Sequence, residues 1–426
     1  MPSWVPIVQE SSVLAGVVWE SIDAIAAALC QPDSRLFEME HHCNLALFFA
    51  YLARARKDRT YAERAIEHLN AAIEGTGPQS SFALYGGLCG LGWTAKHILY
   101  VLDGNQTSIF GQPYFHEYSQ LIEQNHSQLT QEIDAHLIAQ LHAYPRSWPY
   151  DLISGLVGFG IYFLEGHDFL GSDGIELIVN LLEAAAERTP SGARWRTSPE
   201  YMSALERQHN SEGFYNLGVA HGIPGVLFFL AKVAAIGVLK ERASRLLNEG
   251  FEWLVSQEKR GCRLVRFDLW NRSSLPTPSR LAWCYNDLGI AAVMVHISRL
   301  TLDPKHYIFA HDLLEHCINV ASNLVSPDAA LCHGAAGVAH IMNRAYQENE
   351  DPRCLNIALT YIRRVLEMRK PGTGVGGYSR PVSKSAGHAT QDTDPRFLSG
   401  AVGVALALLS AVTSIEPRWD RLMLLS

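Results

Sequence analysis

Three residues with metal-binding side chains stand at the starts of two neighbouring sequence repeats. They are Cys284, within Trp-Cys-Tyr, and the dipeptide Cys332-His333. Thiolate and imidazole donors suit Zn²⁺, and three protein donors leave a fourth tetrahedral position open, as in catalytic zinc sites. Taken singly, either cysteine is equally well explained as a buried core thiol. The hypothesis is one zinc ion held by all three side chains.

Groups suited to proton transfer occupy similar places in other repeats. His221 precedes a glycine turn, Asp151 lies four residues before Gly155, and Arg280 lies four residues before Cys284. A histidine with a nearby carboxylate can exchange protons near neutral pH, and an arginine can stabilise a developing oxyanion. Two alternatives stay open, since Asp151 is also a suitable helix N-cap and Arg280 a suitable partner for an ordinary salt bridge.

A glycine pattern, repeated 45 to 68 residues apart, organises the chain. Its copies are Gly87–Gly90, Gly155–Gly158, Gly222–Gly225, Gly334–Gly337 and Gly400–Gly403, with weaker copies at Asn286–Gly289 and His42–Leu45. The apolar segments after each copy predict helices buried on all sides, and the intervening segments predict amphipathic helices. The pattern therefore predicts an all-α protein, an α/α toroid of about seven inner and seven outer helices, forming a single catalytic domain over residues 1–426.

Two segments depart from this pattern. Residues 93–150 form a long spacer that could carry a small insertion within the domain. Residues 371–395 are rich in Gly, Pro and Ser and predict a long loop, with a functional loop or lid as the interpretation.

Composition restricts the function classes. Charged residues make up 18% of the 426 residues and the formal net charge is −8, so a nucleic-acid partner is not expected. No apolar run reaches the ~18–20 residues that span a bilayer, and the N-terminus lacks a signal-peptide pattern. Eight cysteines scattered over a long chain favour reduced thiols and a cytoplasmic location.

Three segments resemble the LanC family of lanthipeptide cyclases. They are NLGVAHGIPGV (216–226), SRLAWCYNDLGIA (279–291) and LCHGAAGVAH (331–340). The segments at 84–92, 151–160 and 397–406 are similar to flanking repeats of that family, so the resemblance runs from about residue 40 to 412. Asn286 and Leu288 depart from a common glycine and a frequent proline, and the first repeat is degenerate.

The resemblance implies a zinc enzyme that forms thioether rings by adding peptide cysteines to dehydroalanine or dehydrobutyrine. The residues implied are Cys284, Cys332 and His333 as ligands of one Zn²⁺, His221 and Asp151 for acid/base catalysis, and Arg280 and Tyr285 lining the site. The implied substrate is a dehydrated precursor peptide. A dehydratase and a transporter are further expected partners, which would bring the protein to the inner membrane face. Residues 93–150 are where a small SH2-like insertion is expected.

Three other functions remain as alternatives. The first is addition of glutathione to dehydrated residues by a LanC-like protein. The second is a non-catalytic, zinc-stabilised scaffold that binds a peptide. The third is a carbohydrate-active toroid, which would need paired carboxylates; the repeat starts supply mainly Asp151 and Asp287.

Overall fold

The structure is a computed structural model of the 426-residue chain. It describes residues 4–31, 38–103, 114–145, 148–165, 169–259, 261–262, 264–271, 280–324, 326–379 and 394–426. The helices are α1 (Val13–Leu29), α2 (Met39–Arg56), α3 (Arg59–Glu74), α4 (Leu88–Asp103), α5 (Tyr114–Ala143), α6 (Leu156–Glu165), α7 (Phe169–Ala185), α8 (Ala204–His209), α9 (Ile223–Ala235), α10 (Lys240–Ser256), α11 (Asp287–Thr301), α12 (Pro304–Val320), α13 (Ala335–Asn349), α14 (Pro352–Glu367) and α15 (Ala401–Val412).

Seven of these helices form an apolar set: α2, α4, α6, α9, α11, α13 and α15. The buried residues of α9 run unbroken from Ile223 to Ala231, and every residue of α15 is buried. Burial on every side, as the sequence pattern predicts, marks core helices. Within the described ranges, no helix is both long enough and apolar enough to cross a bilayer.

The amphipathic set comprises α1, α3, α5, α7, α10, α12 and α14. In α14 the buried residues recur on one face, at Cys354, Ala358, Tyr361, Ile362 and Val365, while the opposite face meets solvent. Two of these helices have an aspartate as N-cap. The Asp58 side chain accepts a hydrogen bond from Thr60 N at the start of α3, and the Asp351 side chain accepts one from Arg353 N at the start of α14. Helix pairs of one apolar and one amphipathic member therefore repeat along the chain.

The chain divides into two compact units. The first unit comprises residues 1–78, 97–123 and 321–420. In it α15 packs against α13, α2 and α1, while α3 covers α2 and α14 covers α13. A buried network closes this unit near its C-terminal end: His340 lies between Ser410 and Asp420, and Arg344 also pairs with Asp420. His340 is therefore a core residue whose two ring nitrogens both have hydrogen-bond partners.

The second unit comprises residues 79–96, 124–320 and 421–426. In it α9 packs between α6 and α11, and α7, α10 and α12 cover these three helices in turn. Between α7 and α9 the chain forms an antiparallel hairpin of β1 (Glu187–Thr189) and β2 (Gly192–Arg194), then the short helix α8. Isolated bridges, Thr197 with Phe214 and Asn216 with Trp270, tie this excursion to the unit.

The two segments that depart from the glycine pattern, 93–150 and 371–395, form helices and turns in their described parts. Residues 93–103 continue α4 and residues 114–143 form α5, so the described part of 93–150 contains no strand; residues 104–113 and 146–147 lie outside it. The predicted loop at 371–395 begins with turns at 371–379, where four glycines have positive φ. Residues 380–393 lie outside the described residues. The insertion and the lid stay predictions.

The glycine pattern reflects a close approach between each turn and its helix. A Cβ on the fourth residue of the pattern would lie less than 3.0 Å from the carbonyl oxygen six residues earlier. The pairs are Gly90 with Leu84, Gly158 with Leu152, Gly225 with Val219, Gly289 with Trp283, Gly337 with Leu331 and Gly403 with Phe397. Only glycine leaves room for this backbone contact. The first repeat lacks such a glycine, and α2 begins at Met39, three residues before the start that the weaker copy indicates.

Gly403→Ala tests this constraint away from the candidate site. The added methyl group would overlap the Phe397 carbonyl, so we expect the free energy of unfolding to fall by about 1–3 kcal/mol, measured by urea denaturation. Gly16→Ala is the control, because nothing lies within 4 Å of a Cβ at that position of α1. It should gain up to about 1 kcal/mol. Wild-type stability in Gly403→Ala would contradict the constraint.

Candidate metal and catalytic site

His221 and Asp151 form a hydrogen-bonded pair within the second unit. His221 stands two residues before α9, and Asp151 lies in the turn before α6. His221 Nδ1 is 2.6 Å from Asp151 Oδ2, while Asp151 Oδ1 accepts a bond from Ser154 N at 2.9 Å. Asp151 thus supports its own turn and also orients the imidazole. Because Nδ1 donates to the carboxylate, Nε2 is the nitrogen that can exchange a proton with a substrate.

The charge on Asp151 keeps His221 basic. Burial lowers the pKa of His221, but the hydrogen bond and the charge of Asp151 raise it, with Cys284 and Glu206 adding to the increase. The net pKa is above the ordinary histidine value. The His221 side chain is nevertheless 44% exposed. It can therefore carry a proton near neutral pH and still reach a bound molecule.

A cavity of about 280 Å³ adjoins this pair. Besides His221 and Asp151, its lining includes Tyr150, Arg196, Thr197, Phe214 and Tyr285. The Tyr285 hydroxyl accepts a hydrogen bond from Asn216 Nδ2 at 3.0 Å. Burial raises the pKa of Tyr150, so its phenol is neutral near pH 7. The lining combines aromatic walls with a few polar groups, which is typical of small-molecule and peptide sites.

The Trp283-Cys284-Tyr285 segment is held rigidly before α11. Trp283 is fully buried, and its indole N–H donates to the carbonyl of Met423 at 2.8 Å. A Cβ on Gly218 would overlap the Cys284 carbonyl and the Tyr285 ring, so the glycine lets the two turns approach. Cys284 itself is buried. Arg280 lies three residues before this segment, and within the described residues its Nε has no hydrogen-bond partner.

Asn286 occupies the place of the first glycine in this repeat. Its φ of 75° and ψ of −174° fall in a region that is essentially reserved for glycine. Its side-chain Nδ2 donates to the Arg280 carbonyl at 3.1 Å, which offsets part of the strain. The turn therefore keeps its glycine-like geometry despite the substitution.

Cys332 and His333 stand before α13 in the first unit. Cys332 N donates to the Leu398 carbonyl at 2.9 Å. His333 Nε2 lies 3.1 Å from Asp328 Oδ2. Asp328 is not among the predicted site residues. A repeated spacing points to it, because Asp328 lies six residues before Gly334 just as Asp394 lies six residues before Gly400.

Cys284 stands before α11 in the second unit, and Cys332 and His333 stand before α13 in the first unit. These are the three residues that the sequence analysis predicts as ligands of one metal ion. Two sulfur donors and one imidazole are a donor set that zinc prefers. The chemistry of the donors therefore fits a zinc ion.

Asp287 has a different role from the one a glycosidase would need. Its two carboxylate oxygens accept hydrogen bonds from Arg266 N at 2.8 Å and Phe267 N at 2.9 Å, and His316 Nε2 lies 3.3 Å away. These contacts make Asp287 a structural link between α11 and the preceding loop. A carboxylate pair with Asp151 therefore gains no support.

Comparison with known proteins decides the family. The model of the family described as lanthionine synthetase C-like protein matches residues 43–424. The chain belongs to this family. Nisin biosynthesis protein NisC of Lactococcus lactis subsp. lactis is 28% identical over 211 residues, covering 45% of this chain and 48% of that protein. The alignment thus spans about half the length of that curated relative.

A solved structure shares the fold. The nisin cyclase structure matches with a TM-score of 0.69 and 18% sequence identity, covering 97% of this chain and 96% of that chain. The fold is thus the α/α toroid that the glycine repeat predicts, and the apolar and amphipathic sets are its inner and outer helices.

The strained turn at Asn286 can be tested by comparing two variants. Asn286→Ala and Asn286→Gly both remove the hydrogen bond to Arg280, but only alanine keeps a Cβ at positive φ. We expect the alanine variant to be less stable than the glycine variant by about 1 kcal/mol or more. Denaturant titration measures the difference.

Elsewhere in a chain, alanine is usually the more stabilising of the two residues. An alanine variant as stable as the glycine variant would therefore show that the turn carries no strain.

Proposed function

We propose that this family member is a zinc-dependent lanthipeptide cyclase. It would add the thiol of a peptide cysteine to dehydroalanine or dehydrobutyrine in the same peptide and so form lanthionine or methyllanthionine rings. The observation that carries the proposal is the donor set of Cys284, Cys332 and His333, whose two thiols and one imidazole stand at the turns before α11 and α13. The similarity to NisC supports the same reaction class.

The proposed ligands would balance the charge of the metal ion. Cys284 and Cys332, as thiolates, would offset the two positive charges of one Zn²⁺, and His333 would add a neutral donor. A bound zinc ion would supply acidification of a coordinated thiol, so that a substrate cysteine is a thiolate at neutral pH. Three protein ligands leave one position for that sulfur.

His221 would complete the addition as a general acid. The new C–S bond forms at the β-carbon while the π bond of the dehydrated residue opens, which places negative charge on the α-carbon and its carbonyl oxygen. His221 would deliver the proton to the α-carbon from Nε2, because Nδ1 is bonded to Asp151 at 2.6 Å. The raised pKa of His221 favours the protonated imidazole that this step requires.

Two further residues would support this step. Arg280 is a cation suited to the enolate oxygen, and Tyr285 lines the cavity beside His221. The substrate would be a dehydrated precursor peptide, of which the 280 Å³ cavity could hold a short segment. A cytoplasmic location and assembly with a dehydratase and a transporter belong to the same proposal.

Single cysteine substitutions test the metal site and the reaction together. Cys284→Ala and Cys332→Ala should each abolish stoichiometric zinc, measured by elemental analysis, because two protein ligands are left. Ring formation should also be lost, measured as peptide thiols that remain reactive with N-ethylmaleimide. Cys262→Ala is the control, because that cysteine is exposed and is not one of the proposed ligands.

The peptide mass separates the competing reactions. Cyclisation leaves the mass of a dehydrated peptide unchanged, whereas the alternative reaction adds one glutathione. A zinc-bound protein that neither cyclises nor adds glutathione would support a scaffold role. Full zinc content and full ring formation in Cys284→Ala would refute the proposal.

The role of Asp151 predicts a change in pH dependence. If His221 is the general acid, activity falls as the pH rises through its pKa. Asp151→Asn removes the main cause that raises this pKa and leaves burial, which lowers it. The alkaline limb of the rate profile should therefore move to lower pH, by about one unit or more.

Two variants calibrate that measurement. Glu206→Gln removes a weaker contribution to the same pKa, so it should give a smaller shift in the same direction. His221→Ala should reduce the rate by about 10²–10⁴-fold at every pH. An alkaline limb that stays in place, or moves up, in Asp151→Asn would exclude His221 as the acid.

A further inference from the structure

The turns before α13 and α15 share one hydrogen-bond scaffold built on an aspartate. The Asp328 carbonyl accepts from Ala335 N at 2.8 Å, and its Oδ1 accepts from Ala330 N at 2.9 Å. Asp394 makes the equivalent bonds with Ala401 N and Arg396 N, both at 2.9 Å. In each turn, therefore, one carboxylate oxygen is fixed by the backbone.

The second carboxylate oxygen serves the residue that precedes the glycine. In the turn before α15, Asp394 Oδ2 accepts from the Ser399 hydroxyl at 2.8 Å. In the turn before α13, Asp328 Oδ2 lies 3.1 Å from His333 Nε2. The same position thus carries a serine in one repeat and the proposed metal ligand His333 in the other.

We propose that Asp328 is a positioning residue for His333. It would accept a hydrogen bond from the Nε2–H of His333 and so fix both the tautomer and the ring orientation that direct Nδ1 to the metal. This inference rests on the proposed zinc site. Ligating histidines commonly donate their second N–H to a carboxylate, and loss of such a partner typically weakens metal binding 10–100-fold.

The surroundings leave the Asp328 carboxylate little freedom. Its side chain is 17% exposed, and that of His333 is 25% exposed. A Cβ on Gly334 would overlap Asp328 Oδ1, so the glycine of the Cys-His-Gly sequence makes room for the carboxylate. The aspartate, the histidine and the glycine therefore act as one unit.

A purely structural role for Asp328 is the competing explanation, and the chain contains its matched control. Asp394 makes the same turn bonds but holds Ser399 and Arg396 in place of a metal ligand. If Asp328 only stabilises its turn, substitutions at the two aspartates should have the same consequences. If it also positions His333, only the substitution at Asp328 should change metal binding.

The experiment compares Asp328→Ala, Asp328→Asn and Asp394→Ala in the full chain. Zinc affinity is measured by competition with a chromogenic chelator, and Co²⁺ is substituted to record the absorption spectrum of the site. We expect about 10–100-fold weaker zinc binding and an altered Co²⁺ spectrum in Asp328→Ala. Asp328→Asn keeps an acceptor oxygen, so it should lose less. Asp394→Ala should bind zinc like the wild type while its melting temperature falls.

Wild-type zinc affinity and an unchanged Co²⁺ spectrum in the Asp328 variants would overturn the inference and leave the proposed cyclase intact. Failure of the wild-type protein to bind stoichiometric zinc would instead overturn the proposed function, and this inference with it. Should Asp328→Ala not fold, Asp328→Asn against Asp394→Asn decides the matter, since both retain an acceptor for the backbone amide.

Discussion

The close contact between a backbone carbonyl and a glycine in the first turn of an inner helix is the constraint on which the site depends. It occurs before six of the seven inner helices in the described residues, each time with a separation of six residues. The arc of chain between carbonyl and glycine is thereby folded tightly against its helix. Cys284, Tyr285, Cys332, His333 and His221 all lie within such arcs. A repetitive packing requirement thus fixes where reactive side chains can stand.

Carboxylate–imidazole pairs give two of these histidines their different properties. Asp151 holds His221 at 2.6 Å, and Asp328 holds His333 at 3.1 Å. His221 adjoins a cavity, and its raised pKa suits proton transfer. His333 is instead proposed to bind a metal ion together with two thiols, where a neutral imidazole is the useful form. The groups around each imidazole therefore determine whether it is suited to proton transfer or to metal binding.

Much of the fold could be predicted because its cause is local. The apolar segments after each glycine pair are readable from the chain, and burial confirms them as core helices. The three proposed ligand residues could be singled out because they interrupt a repeat that otherwise holds small or polar residues. Asp328 escaped notice because a single aspartate in a turn resembles a cap until the position of His333 is known. The hairpin at residues 187–194 was also missed, because its strands are only three residues long.

The shared turn scaffold has a consequence for how such a protein can change. Ser399 and His333 occupy equivalent positions, each in contact with the Oδ2 atom of the aspartate in its turn. The side chain at this position can therefore change without a change in the fold of the turn. One substitution there could add or remove a metal-binding side chain while the backbone hydrogen bonds of the turn persist. Ser399→His would place a second imidazole beside the Asp394 carboxylate without a change in the length of the loop. In toroids of this kind, the residue before the first glycine of a repeat is therefore a position at which new catalytic or metal-binding side chains can be introduced.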